Sequence, residues 1–153
     1  MYSDKEVING LQGLLEKNID AEKGYRNAME STKNTNLTTF FNTKAQQRNQ
    51  FTEQLKGEIN KLGGKHEGVS GSVAGALHRT WMDVKTALST DNEDAVLEVC
   101  QTGEKAAIDE YDLFIGSTKM PSSTAQLVLT QRNGIAESLD GVELIDMAFD
   151  NKK

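Results

Sequence analysis

An internal repeat constrains this chain more than any other feature of its sequence. Gln47-Arg48-Asn49-Gln50-Phe51-Thr52-Glu53-Gln54-Leu55-Lys56-Gly57 recurs as Gln131-Arg132-Asn133-Gly134-Ile135-Ala136-Glu137-Ser138-Leu139-Asp140-Gly141, with six of the eleven positions identical. Upstream of each copy, Leu15-Glu16 and Glu22-Lys23 are matched by Leu97-Glu98 and Glu104-Lys105, in the same order and at nearly the same spacing. One such match arises easily where Glu, Gln, Leu and Lys are common. Two in register point to duplication of a two-segment unit.

That unit is helical. Apolar residues recur three and four apart, and no segment alternates with the period of two that strands require. The chain has one proline, Pro121, so long helices meet few breakers. Five helices are predicted, over about 4–31, 37–62, 73–89, 92–116 and 121–149. Their expected boundary signals are a Ser3/Glu6 capping box, Asn36 ahead of the second helix and Gly63-Gly64 at its end, a Thr90/Glu93 capping box, and Pro121-Ser122. Two helical hairpins, 4–62 and 92–149, joined by a crossover helix over 73–89, give an all-α, ferritin-like four-helix bundle. The 153 residues are read as one domain.

A net charge of −6 and a pI near 5.0 argue against nucleic acid and anionic membrane, which select basic faces. Met1 to Glu6 is too polar for a secretory leader, no stretch is apolar enough to span a bilayer, and Cys100 is the lone cysteine. A cytoplasmic location is expected.

Placed on helical wheels, the repeat keeps one carboxylate and one amide per hairpin on the core side. Glu22 falls within the stripe Leu11, Leu15, Ile19, Tyr25 and Met29, and Glu104 within Val96, Cys100, Ala107, Tyr111 and Phe114. Gln47 and Gln131 face inward from the second and fifth helices. Distances from the two hairpin turns place Glu22, Gln47, Glu104 and Gln131 in one polar layer. Lys44 is predicted on its inner face, with Arg48 and Arg132 at its edges. Tyr25 and Tyr111 stand near enough to donate to a carboxylate.

Carboxylate-bridged metal bundles take one Glu from each of two helices and a Glu-x-x-His pair from each of the other two. Here Gln47 and Gln131 replace the second glutamates, and Gln50 and Gly134 stand where the histidines would be. No cofactor is therefore expected, and the layer reads as a degenerate di-metal site held by hydrogen bonds. The rival is an iron or manganese site on Glu22 and Glu104. A third reading is a small-ligand pocket beneath the crossover helix, around His78 and Trp81.

Several segments carry a family resemblance. They are Asp20-Ala21-Glu22-Lys23-Gly24-Tyr25, Gln47-Arg48 with Phe51, Gly71-Ser72-Val73-Ala74-Gly75-Ala76-Leu77-His78-Arg79-Thr80-Trp81-Met82, and Gly103-Glu104 with Ala107. Together they resemble an uncharacterised bacterial family of ferritin-like four-helix bundles. The resemblance implies that fold and no established reaction. Gln101 and Thr102 depart from the acidic and basic residues usual there, which weakens a metal reading. The expected function is that of a structural or interaction protein without enzymatic activity. Its expected partner is a second copy, paired through the first two helices.

Overall fold

The computed structural model describes residues 4–66, 76–90 and 92–152, with side chains described over 4–66, 79–90 and 92–139. Five helices follow in order: α1 (Asp4–Glu30), α2 (Thr35–Lys61), α3 (Ala76–Ser89), α4 (Glu93–Ser117) and α5 (Ser122–Lys152). None of them, among the described residues, is long and apolar enough to cross a membrane. Ser3 and the start of the crossover segment, 67–75, lie outside the described residues.

Two helix starts differ from expectation. α2 is capped by Asn34, whose side chain accepts from Leu37 N at 3.0 Å, and Asn36 is an exposed residue of the first turn. α4 is capped by Asn92, whose side chain accepts from Ala95 N at 3.1 Å. An N-cap must hold extended dihedrals immediately before the first turn, as Asn34 and Asn92 do. Thr90 serves the preceding helix instead, its hydroxyl donating to Ala87 O at 2.7 Å. The end of α2 is as expected. Gly63 takes φ +84, Gly63 N donates to Asn60 O, and Gly64 N donates to Ile59 O, which closes a Schellman motif.

α1 packs on α2 and α4 on α5, and α3 bridges the hairpins by lying on α1 and α4. The fold is thus the ferritin-like bundle that the repeat implied. Among the described residues, two apolar cores fill it. One gathers Tyr25, Phe40, Phe41, Val84, Val96 and Cys100 near the crossover. The other gathers Leu11, Leu15, Leu55, Ile59, Phe114 and Ile135 at the far end.

The buried face of α1 changes direction along its length. Val7, Leu11, Leu14, Leu15 and Asn18 are buried in the first half, then Asp20, Ala21, Gly24, Tyr25 and Ala28. At 3.6 residues per turn this is a swing of roughly a quarter turn. Its cause is α3, which covers the side of α1 carrying Gly24. A Cβ built on Gly24 would stand 2.0 Å from Cε2 of Trp81, so only glycine admits the indole there. Tyr25 meets the same indole edge to face, with ring centroids 4.9 Å apart.

Gly24→Ala should therefore cost about 1–3 kcal/mol, the range for forcing atoms into a filled site. Trp81 emission should shift to the red as α3 lifts. Urea denaturation followed by tryptophan fluorescence checks both, and a variant as stable as wild type would refute this account of crossover docking.

Candidate functional site

Between the two apolar cores runs a band of buried polar groups in two connected sets. The first joins α1, α4 and α2 through Glu104, which is 2% exposed. Tyr25 donates its hydroxyl to Glu104 Oε1, and Arg48 Nη2 donates to Glu104 Oε2 at 2.5 Å. Lys44, one turn before Arg48 on α2, is also buried and lies 5.6 Å from the centroid of the Phe40 ring. The second set visits all four long helices. Asn18 donates to Tyr111 at 3.0 Å, Tyr111 donates to Gln131 at 2.6 Å, and Gln131 donates to Gln54 at 3.0 Å and to Phe51 O at 3.2 Å.

Burial and charge set the protonation of these groups. Burial alone would lower the Arg48 guanidinium, but Glu104, with Tyr25 and Tyr111, holds it above its ordinary value. Burial, reinforced by Glu104, raises the Tyr25 phenol well above 10.0. Burial pushes Tyr111 up to about 12. It pushes the Cys100 thiol up to about 12 as well, which leaves that sulfur a poor nucleophile at neutral pH. Lys44 moves down, chiefly through burial, with Glu104 opposing and Arg48 assisting.

Of the residues expected in one layer, Glu104, Arg48 and Lys44 come together. Gln47 lies near that level and reaches across to α5, donating to Ser138 Oγ at 3.0 Å and to Gly134 O at 3.3 Å. Gln131 sits about one turn further along, level with Phe51 and Gln54. Glu22 departs from expectation. It lies on the α1–α2 rim, accepting from Arg26 at 2.8 Å and from Asn49 at 3.3 Å, because the swing of α1 gives the inner position to Tyr25. Arg132 also departs: it forms a two-point clamp on Asp112 of α4, at 2.9 and 3.3 Å, outside the core. Asn18 and Gln54 join this band although neither belongs to the carboxylates and amides that the repeat turns inward. Asn18 shares the inward spacing of Leu11 and Leu15, a signal that a short polar side chain obscured.

Against the first set lies a cavity of about 90 Å³ between α1, α3 and α4. Tyr25, Arg48, Glu104, Asn18, Tyr111 and Trp81 are among its walls. Trp81 lines this cavity, whereas the His78 side chain lies outside the described residues. Among the described residues, no three His, Cys, Asp or Glu side chains gather as a metal would need.

Residues 6–117 match a family described as a domain of unknown function (DUF2383). No curated protein matches the chain. Among solved structures, it is similar to one titled as ferritin like, diiron-carboxylate proteins from Bacillus anthracis str. Ames. The likeness covers 97% of this chain and 99% of that one, at a TM-score of 0.65 and 20% sequence identity, and it is a likeness of fold.

Glu104→Ala would leave Arg48 and Lys44 as buried cations without their counterion. A loss of about 2–4 kcal/mol is expected, with Glu104→Gln milder because one acceptor oxygen survives. Arg48→Met combined with Glu104→Met should cost less than the sum of the single changes, by about 1 kcal/mol or more. Chemical denaturation of the four proteins measures this coupling, and strict additivity would show that the pair is not coupled.

Alkaline pH offers a second check. The folded chain keeps the Cys100 proton to about pH 12, whereas an unperturbed thiol releases it near 9.0. The stabilisation this implies is complete below pH 9.0 and is lost as pH rises toward 12. Wild type should therefore lose stability relative to Cys100→Ala across that window. Urea melts of the two proteins at pH values below and above 9.0 read the difference, and parallel profiles would contradict it.

Proposed function

The chain belongs to the DUF2383 family, and from that premise we propose that it is a metal-independent member of the ferritin-like class, a structural or interaction protein rather than an enzyme. The observation that carries this reading is the occupation of Glu104. One carboxylate oxygen is held by the Tyr25 hydroxyl and the other by the Arg48 guanidinium.

A diiron-carboxylate centre is named for the similar structure, so its fit to this chain bears directly on the reading. Two divalent ions need several carboxylates facing one another, with imidazoles or further oxygens completing each shell. Here the buried carboxylate at that level is already neutralised by Arg48, and a second buried cation, Lys44, adds repulsion to any incoming metal. Glu22, the other expected ligand, is turned to the rim and paired with Arg26. Gln47 and Gln131 present neutral amides, poor bridging ligands; Gln131 spends both ends on bonds between helices, and Gln47 donates its Nε2 to Ser138. Among the described residues the donor set does not fit a di-metal centre, and no redox step is assigned to this site.

In this reading the polar band specifies how the hairpins register. A buried ion pair contributes little net stability against a well-packed apolar core, yet it penalises any arrangement that leaves one partner unmatched. Each link in the band joins different helices, so a slipped hairpin would strand several groups at once.

Protein purified without chelators should carry well below one equivalent of iron or manganese by elemental analysis. Its melting temperature should not move on adding a chelator or either metal. An equivalent or more of bound iron or manganese, lost in both Glu22→Gln and Glu104→Gln, would overturn this reading in favour of a metal-binding protein.

A further inference from the structure

We propose that the cavity between α1, α3 and α4 binds a small organic monoanion, a monocarboxylate bearing a hydroxyl group, with Arg48 and Trp81 as donors to its carboxylate. This goes beyond the scaffold reading and does not require it.

Three polar atoms on the cavity-lining residues have no hydrogen-bond partner among the described residues: Arg48 Nε, Trp81 Nε1 and Asn18 Oδ1. Arg48 is 2% exposed and Asn18 1%, so bulk water does not solvate them. A buried polar group without a partner is costly, and natural interiors seldom leave three around one cavity. Two are N–H donors and one is an acceptor. A carboxylate can take both donors, and a hydroxyl beside it can donate to Asn18.

The donors favour an anion. Arg48 and Lys17 line the cavity against Glu104 and Glu110, so its lining carries no net charge, and the preference for an anion rests on the two N–H donors without partners. Lys17 and Glu110 pair across its mouth at 3.6 Å, and both are nearly half exposed, so the entrance can open without disturbing the core. Inside, Glu104 is paired with Arg48 through Nη2, which leaves Arg48 Nε free to donate to a ligand.

Size limits the ligand. The volume of about 90 Å³ is less than the roughly 150 Å³ of an engineered apolar cavity that takes benzene. It accommodates a short head group rather than a ring. Small residues on the two long helices, Ala21, Gly103 and Ala107, create the space, and the rings of Tyr25, Tyr111 and Trp81 supply apolar walls for a short chain.

Trp81 is the chain's one tryptophan, so its emission reports on the cavity directly. Chelator-treated protein should be titrated with lactate, propionate, propionamide and propylamine. Lactate should bind more tightly than propionate, and propionate at least about tenfold more tightly than its neutral amide. Propylamine should not bind. The indole N–H of Trp81 and the Nε–H of Arg48 should shift in nitrogen–proton spectra during the same titration. Ala107→Leu, which fills the cavity without touching the polar band, should abolish binding while melting as wild type does.

The proposal fails if neither anion gives a saturable response in emission or in the two N–H resonances. It fails equally if propionamide or propylamine matches propionate, because the two donors would then not select a carboxylate. A folded Ala107→Leu protein that still binds lactate would place the ligand elsewhere and also overturn it. The resonance shifts need no variant, so poor folding of Ala107→Leu would leave the test intact.

Discussion

The buried pairing of Arg48 with Glu104 is the interaction on which the rest of this bundle depends. It sits where the two apolar cores meet, and Tyr25 extends it to a third helix. Buried charges such as Arg48, Lys44 and Glu104 are tolerable in an apolar interior only in a fixed arrangement, since each charge taken out of water demands a partner at short range. That requirement restrains α2 against α4 and α1 against both. The chain from Asn18 through Tyr111 and Gln131 to Gln54 repeats the same logic one level further along with neutral groups.

The crossover helix is the second determinant. In an isolated pair of hairpins, α1 would present one straight stripe to the bundle axis. Docking of α3 on Gly24 draws the buried face of α1 sideways, which brings Tyr25 into the core and turns Glu22 out to the rim. The segments that carry the family resemblance find their explanation here. Gly24 and Tyr25 from one segment receive Trp81 from another, and Gly103 and Glu104 from a third line the cavity that this docking creates. Packing geometry accounts for these contacts without invoking a reaction.

Much of this architecture was legible in the residues. The repeat announced two hairpins, proline scarcity announced long helices, and the inward placement of Glu104, Gln131 and Lys44 followed from helical spacing alone. Helix caps were less legible, because Asn34 and Asn36 satisfy the same composition rule and only backbone dihedrals choose between them. Arg48 and Arg132 occupy equivalent places in the repeat yet end differently. One is buried against Glu104 and the other clamps Asp112 at the surface.

That divergence marks the boundary between the two kinds of information. The helical class and the residue types able to face inward follow from periodicities of 3.6 residues within a single segment, and the duplicated hairpins from the repeat, so all three are written in the chain itself. Only the tertiary structure decided which inward candidates meet. Whether a glutamate faces an arginine, a lysine or another carboxylate depends on the rotation of each helix about its axis. Those rotations are set by contacts from helices distant in the chain, above all by the seat that Gly24 offers Trp81. A change of a quarter turn in α1 is invisible in its hydrophobic pattern, yet it separates a pair of facing glutamates from a buried ion pair beside a small cavity.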